Sequence, residues 1–253
     1  MPWVQTSSPG FTARHDSGDA DDAVEVLELL EGTRERLGGT FPHLPGDVAV
    51  ILHGSEAQLN LAQPYLPLVR RLTAPAGRRY LAGWSSAAEL HVLAPRLLSR
   101  RASNVAGSRE MLLLTPGALY AQLVIAANNP RLPPPFGPAS FVRYLRWAWL
   151  AAGAAQFFSG QTSYARPAIA RRLREGEVPR FPPGVTDAAL LGGTVFDLLA
   201  AERDEQAAVR LACRLPAGGS RQALADAFPE RSLAATEEAW REHLDDLAGV
   251  AGA

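Results

Sequence analysis

The residues best suited to acid–base or metal chemistry are histidines, and two of them lie where neighbouring strands would bring them together. His53 follows a compact β-branched run, and His91 lies in a second short apolar run, two positions after Glu89. Residues two apart on a strand point to the same face of a sheet. Because imidazole and carboxylate both bind Zn²⁺, these three residues are a candidate metal cluster. The alternative is that they are hydrogen-bonded structural residues.

Other familiar catalytic and nucleotide-binding patterns are incomplete in this chain. All 25 basic residues are arginines, so the lysine that a P-loop requires is missing. The segment Gly83 to Ala87 lacks the second glycine of a nucleophile elbow. Cys213 is the only cysteine, which excludes an intramolecular disulfide and a cysteine-based zinc knuckle. We therefore expect no cofactor from these classes.

Charge and hydropathy limit the possible partners and the location of the protein. The 25 arginines are balanced by 26 acidic residues, and a net charge of -1 does not favour nucleic acid or an anionic membrane as a partner. The apolar stretches Met111 to Asn128 and Trp147 to Arg166 contain Pro, Gly and polar residues, and fall short of a spanning helix. Met1 to Gly18 lacks the basic and apolar regions of a secretory signal, so a cytoplasmic location is expected.

The N-terminal half shows the patterns of short strands that alternate with helices. A helical repeat of Val24, Leu27, Leu30 and Leu37 follows the first strand pattern. Ser55, with Gln58 three residues later, has the signature of a helix N-cap. Five segments predict the strands of one mixed sheet: Phe11 to His15, Val48 to Leu52, Arg79 to Trp84, Glu89 to Leu93 and Glu110 to Leu114.

The C-terminal half is predicted to be mainly helical. Thr115 and Pro116 are typical of a helix start, at which the hydroxyl caps a free amide, and this helix ends at Asn128 and Asn129. The proline-rich segment 130–138 then separates two parts, 1–129 and 139–253, which we expect to form one continuous α+β domain. The later helices are predicted at 141–158, 165–174, 187–202, 205–215, 220–228 and 232–247.

This order of elements resembles the gluzincin-type (peptidase-MA-like) metallopeptidases. The likeness is carried by Phe11 to Phe41 with Val48 to Leu52, by Leu119 to Ile125, by Trp149 to Gly160, and by the segment from Phe228 to Leu244. It covers nearly the whole chain at the level of pattern. The resemblance implies a zincin-like fold, with a mixed sheet followed by a buried helix and then a helical half.

The zinc ligands of that family are missing from the matching positions. The His-Glu-x-x-His motif matches Ala121, Gln122, Leu123, Val124 and Ile125, and the third glutamate ligand matches Ala152. Alanine and isoleucine offer no atom that binds zinc, and the amide of Gln122 cannot replace a carboxylate base. No His, Asp, Glu or Cys occurs from Met111 to Arg143, so a shift of register does not restore the motif.

These observations predict a pseudo-peptidase, which is a metallopeptidase-like fold retained as a binding or regulatory module. Its partner would be a peptide or protein held in the former cleft. The candidate cleft residues are Tyr120, Gln122, Asn128, Asn129 and Trp149. Two alternatives stay open: a hydrolase that uses a metal site at His53, Glu89 and His91, and a structural role in which the helical tail forms a dimer face.

Overall fold

The chain is an α+β protein with one five-stranded mixed sheet and fifteen α-helices among the residues described by the computed structural model, 3–174 and 177–249. The strands are β1 Trp3–Ser7, β2 Phe11–Asp16, β3 Val48–His53, β4 Gly83–Ser85 and β5 Glu89–Leu93. The helices of the first half are α1 Ala20–Gly38, α2 Glu56–Ala62, α3 Tyr65–Leu72, α4 Pro75–Arg78, α5 Pro95–Arg101, α6 Ser108–Leu113 and α7 Thr115–Asn128. Those of the second half are α8 Pro138–Arg146, α9 Ala148–Ser159, α10 Gln161–Tyr164, α11 Arg166–Arg174, α12 Val185–Glu202, α13 Glu205–Ala212, α14 Gly219–Ala227 and α15 Leu233–Gly249.

The strands of the sheet follow the order β1-β2-β3-β5-β4. The three central strands β2, β3 and β5 run parallel, and β1 and β4 pair antiparallel at the two edges. Side chains alternate between the faces, so that Val48, Val50 and Leu52 are buried while Ala49 and Ile51 are only partly covered. Helices α1 and α7 pack against the sheet, and α7 is adjacent to β4 and β5.

Two of the five predicted strands are wrong in position. Glu110 to Leu114 lies in α6 and its cap, because Gly107, at a φ of 76°, starts a helix that buries Met111 and Leu112. A short apolar run does not by itself distinguish a buried helix from a strand. In the segment Arg79 to Trp84, the strand begins only at Gly83. The fifth strand of the sheet is instead β1, whose exposed side chains show no burial alternation.

Two details of the predicted helices are corrected, and one is confirmed. The segment 141–158 forms two helices, because Trp147 leaves helical geometry at a φ of −112° and shares its N–H between the carbonyls of Arg143 and Tyr144. In α1, Val24 is 46% exposed, since Ala23 and Val26 occupy the buried stripe instead. The predicted cap at Ser55 is confirmed by a 3.2 Å hydrogen bond from the Gln58 N–H.

The predicted start of α7 is also corrected. Helix α6 ends at Leu113 and α7 begins at Thr115 with no side-chain cap, so the Thr115 hydroxyl does not hold a free amide as predicted. Nearly every side of α7 is buried, because it lies between the sheet and α9. One hydrophobic core connects the strands to the C-terminal helices, from Phe11 to Leu247. None of the helices in the described ranges is long and apolar enough to cross a membrane.

Helices α9 and α12 cross in direct backbone contact at a pair of glycines. A Cβ atom added to Gly153 would lie 2.4 Å from the carbonyl oxygen of Gly192, and one added to Gly192 would lie 2.8 Å from the carbonyl oxygen of Trp149. Both distances are shorter than van der Waals contact, so a side chain at either position would force the helices apart. The glycine at position 153 is therefore required by the packing of the two helices.

We expect the substitution Gly153→Ala to destabilise the protein by about 2–3 kcal/mol, because the added methyl group overpacks the crossing. Chemical denaturation monitored by circular dichroism measures this loss. The matched control is Gly32→Ala in α1, where the new Cβ meets open space. There, higher helix propensity should stabilise the protein by about 0.5–1 kcal/mol. A Gly153→Ala variant as stable as the wild type would contradict the packing account.

Candidate functional site

A narrow cleft lies between the outer edge of β4 and helix α9, with α7 forming one wall. Its lining includes Gly83 from β4, Thr115, Leu119 and Gln122 from α7, and Ala152 and Gln156 from α9. Its volume is about 70 Å³. Gly83 is required where α7 crosses β4, since an added Cβ would lie 2.7 Å from both the His91 carbonyl oxygen and the Leu119 side chain.

The cleft brings together the two positions that the predicted resemblance would assign to the catalytic base and the third ligand of the zinc peptidases. Gln122 and Ala152 both line it. The two matching histidine positions, Ala121 and Ile125, are fully buried and lie outside its lining. Two pairs of α7 residues four apart do line the cleft, Thr115 with Leu119 and Ala118 with Gln122. None of these four residues is a histidine or a carboxylate, so neither pair reproduces the zinc-binding motif.

Tyr120 and Trp149, which the sequence places at the cleft, have structural partners elsewhere. The Tyr120 hydroxyl donates a 3.0 Å hydrogen bond to the Pro45 carbonyl, and its ring packs edge-on against Phe11. The Trp149 indole N–H donates to the Ser220 hydroxyl at 3.0 Å. Neither side chain lines the cleft. Burial raises the pKa of Tyr120, which therefore stays a neutral hydrogen-bond donor.

The two asparagines at the end of α7 also hold the chain together rather than lining the cleft. The Asn128 amide donates a 2.7 Å hydrogen bond to the carbonyl of His43, in the loop before β3. The buried Asn129 amide donates to the Ala212 carbonyl, at the end of α13, over 3.1 Å. Of the five predicted cleft residues, Gln122 alone belongs to the lining among the described residues.

The polar groups of the cleft are only partly satisfied. The Ser85 hydroxyl donates to Oε1 of Gln122 at 3.0 Å, which leaves the two N–H groups of that amide without a hydrogen bond in the described parts of the chain. The buried Thr115 hydroxyl has no partner either. Sequence reasoning missed Ser85 and Thr115 because a lone hydroxyl residue carries no pattern of its own. Buried polar groups that lack partners are rare in folded proteins.

The outer edge of β4 carries unpaired backbone groups beside the same cleft, whose lining includes Gly83 of this strand. The Ser86 N–H donates to the Glu89 carbonyl, and the Leu93 N–H donates to the Ala82 carbonyl. With the antiparallel register, these bonds direct the Trp84 amide and carbonyl towards β5. The backbone groups of Gly83 and Ser85 therefore point outwards, and no hydrogen bond within residues 3–174 and 177–249 reaches them.

Glu89, His91 and His53 meet as predicted, on neighbouring strands and one face of the sheet. His53 Nε2 lies 3.0 Å from His91 Nδ1, and His91 Nε2 lies 3.2 Å from a Glu89 carboxylate oxygen. An ionised carboxylate only accepts hydrogen bonds, so His91 carries its proton on Nε2. His53 then donates from its own Nε2 to the free Nδ1 of His91. The result is a directed chain from His53 through His91 to Glu89.

Burial keeps both imidazoles of this chain neutral. Desolvation, with a smaller contribution from the neighbouring His91, lowers the pKa of His53 to about 4. Desolvation also lowers the pKa of His91, against the opposing effect of its hydrogen bond to Glu89. Nε2 of His53 and both ring nitrogens of His91 already take part in hydrogen bonds. We therefore interpret the arrangement as a structural network. No group of three or more His, Cys, Asp or Glu within the described ranges is placed to hold a metal ion.

Comparison with known proteins does not identify a family. No protein-family model matches the chain, and no curated protein matches it either. The functional argument therefore depends on the site.

The buried histidine pair predicts that stability falls as the solution becomes acidic. A pKa of about 4 in the folded state, against 6.5 in the unfolded state, means that the unfolded chain binds more protons throughout this window. Stability is therefore lost as the pH falls, by about 2 kcal/mol between pH 7.5 and pH 5 from His53 alone. Denaturation curves over this range, for the wild type and for His53→Gln, measure the difference.

The His53→Gln variant should show a flatter dependence of stability on pH. The control is His243→Gln, which replaces the histidine bonded to Asp197 and leaves the His53 chain intact. This control should keep the acid-induced loss that arises from His53. Equal slopes for the wild type and His53→Gln between pH 7.5 and pH 5 would refute the buried neutral pair.

Proposed function

We propose that this protein is a non-catalytic, metallopeptidase-like binding module that holds an extended peptide along the outer edge of β4. The observation that carries this proposal is that the backbone groups of Gly83 and Ser85 are unpaired at the outer edge of β4, beside a cleft lined by Gly83, Gln122 and Ala152. An extended peptide that adds to a sheet edge gains main-chain hydrogen bonds, and pockets beside the strand select its side chains.

Unpaired backbone groups favour a strand-shaped ligand over a compact one. Gly83 and Ser85 are buried, and a buried N–H or C=O without a partner costs free energy comparable to a lost hydrogen bond. The outward N–H and C=O groups belong to alternate residues of β4. In an antiparallel pair of strands, alternate residues likewise hydrogen-bond to the partner strand. A bound peptide strand would satisfy these groups together.

The lining of the cleft favours an uncharged peptide segment. Its polar contributors are the neutral groups of Thr115, Gln122, Gln156 and Gln161, together with tyrosine and tryptophan rings, and no charged side chain belongs to it among the described residues. A charge brought into such a site would lose its hydration without gaining a partner. The small side chains of Ala152 and Ala155 leave room opposite Gln122 for a side chain of the ligand.

The cleft must widen to admit a peptide, because about 70 Å³ is less than the volume of a single large residue. The wall that would move includes α8, which contributes Tyr144, since the rigid glycine crossing ties α9 to α12. The Tyr144 ring packs edge-on against the rings of Trp84 and Phe136. Movement of α8 would therefore have to break these aromatic contacts.

The same residues argue against peptide hydrolysis. A zinc peptidase needs ligands for the metal and a carboxylate to take a proton from the bound water. The cleft offers an amide at Gln122, and the Gln122 oxygen already accepts the Ser85 hydroxyl. A bound peptide would thus be retained rather than cleaved.

Peptide binding should protect alternate backbone amides of β4. We expect the N–H groups of Gly83 and Ser85 to exchange with deuterium more slowly after binding, while the Trp84 N–H is protected by β5 in both states. Peptides selected from a random display library against the full-length protein, then synthesised, are the probe. Residue-resolved hydrogen exchange by NMR provides the measurement. Unchanged exchange at Gly83 and Ser85 with a saturating peptide would place binding elsewhere.

A pair of substitutions at Ser85 isolates the backbone contribution. Ser85→Pro removes the outward N–H without removing a bond to β5, whereas Ser85→Ala removes only the hydroxyl. We expect the proline variant to weaken peptide binding about fivefold relative to the alanine variant, since one hydrogen bond is worth about 1 kcal/mol. Titration calorimetry measures both affinities, and circular dichroism checks the fold. Equal affinities would exclude pairing at β4.

Purified, tag-free protein should contain far less than one equivalent of zinc after dialysis against a mild chelator. It should also leave the selected peptides intact after prolonged incubation, with and without added Zn²⁺. Elemental analysis and mass spectrometry measure these two outcomes. Stoichiometric zinc that survives dialysis, together with peptide cleavage lost on substituting His91, would instead support a hydrolase built on the His53 and Glu89 network.

A further inference from the structure

The opposite edge of the sheet is exposed and uncharged. Strand β1, with the sequence Trp-Val-Gln-Thr-Ser, presents Trp3 at 55% exposure and Val4 at 37%. It is longer than β4, and α1 is the helix that packs most closely on it among the described residues. An apolar, uncharged edge strand of this kind is a template for pairing with another chain.

The backbone of β1 has one bonded side and one free side. The Ser8 N–H donates to the Phe11 carbonyl, and the antiparallel register then directs the backbone groups of Thr6 and Val4 towards β2. The amides and carbonyls of Trp3, Gln5 and Ser7 consequently point away from the sheet. No hydrogen bond in the described part of the chain reaches them.

The usual protections of an edge strand are missing from β1. Natural proteins place lysine, proline or a bulge on such strands, or cover them with a helix or loop. None of these features occurs between Trp3 and Ser7, and every residue of β1 pairs in regular register with β2. The other edge, β4, is protected differently, because it is only three residues long and fully buried.

We propose that β1 pairs antiparallel with β1 of a second copy of this chain, about a two-fold axis that passes beside Gln5. In this register Gln5 faces its own copy, and Trp3 of each chain faces Ser7 of the other. All three outward residues of each strand become hydrogen-bonded pairs, each of which exchanges two backbone bonds. The two sheets would join into one continuous ten-stranded sheet.

The strand is self-complementary, because Gln5 faces Gln5 and Trp3 faces Ser7 about the two-fold axis, and no charge opposes a second copy as the occupant. The strand contains no charged residue, and the nearest basic side chain across the register is Arg14, opposite Gln5 on β2. In the paired sheet the two copies of Arg14 would be three strand spacings apart, about 14 Å. This exceeds the Debye length of about 8 Å at physiological salt, so their repulsion is screened. The large Trp3 ring would gain cover against the small side chain of Ser7.

The dimer is expected to be weak and reversible. One pair of five-residue strands buries less surface than the roughly 1,200 Å² at which stable protein interfaces begin. Association should therefore appear only as the protein concentration rises. This pairing is independent of peptide binding at β4, which uses the opposite edge of the sheet.

Sedimentation velocity of the full chain over a rising concentration series tests the pairing. The wild type and Gln5→Thr, which keeps the N–H and a strand-forming side chain, should shift from monomer towards dimer. Gln5→Pro removes an outward N–H and no bond to β2, so it should remain monomeric with an unchanged thermal unfolding midpoint.

A second variant keeps the test decisive if the proline variant does not fold. Gln5→Lys retains the backbone N–H but places two like charges opposite each other on the two-fold axis, so it should also remain monomeric. A wild type that is monomeric at the highest concentration would overturn the proposal. Equal association of the wild type and Gln5→Lys would overturn it as well, because the interface would then lie elsewhere.

Discussion

The backbone contact between Gly153 and Gly192 is the constraint on which the positions of the central helices depend. Because neither residue has a side chain, α9 and α12 approach closely enough for their main chains to touch. Helix α9 in turn packs on α7, and α7 packs on β4. The wall of the cleft that carries Ala152 and Gln156 is therefore held at a set distance from Gln122. A larger residue at this crossing would move one wall of the site.

The cleft combines a closed shape with unfinished hydrogen bonding. Gln122 and Ser85 form a neutral hydrogen-bonded pair, which requires no metal and no change of protonation. The outward backbone of β4 and the Thr115 hydroxyl have no partners in the described structure. These unpaired groups are the basis of the binding role proposed above.

The two edges of the sheet illustrate how the same backbone chemistry leads to different roles. Strand β4 is short and enclosed, so only a ligand that enters the cleft can reach its free groups. Strand β1 is exposed along its length, and a large partner can approach it directly. Between these edges, His53 and His91 form a hydrogen-bonded pair, and burial lowers the pKa of His53 so that its ring is neutral. The sheet interior contributes to stability, and the free edges are available for recognition.

Local sequence patterns were sufficient for much of the fold. The alternating run at β2, the short apolar runs at β3 and β5, the capping serine before α2 and the helix predicted at 232–247 each reflect short-range physics, which residues close in the chain determine. The α+β class and the absence of zinc-binding side chains at Ala121, Ile125 and Ala152 also follow from the residue types alone. The meeting of His53 with His91 was predictable because strand alternation restricts the faces on which they can lie.

Only the tertiary structure decided what depends on contacts between distant residues. Whether Glu110 to Leu114 forms a strand or a helix depends on how a short apolar run is buried, and β1 is a strand because β2 pairs with it rather than because of its own pattern. Tyr120 and Trp149 turn away from the cleft because Pro45 and Ser220, far along the chain, accept their hydrogen bonds. The unpaired edges of β1 and β4 are likewise invisible in the sequence, since the direction of a backbone amide is set by the register between strands.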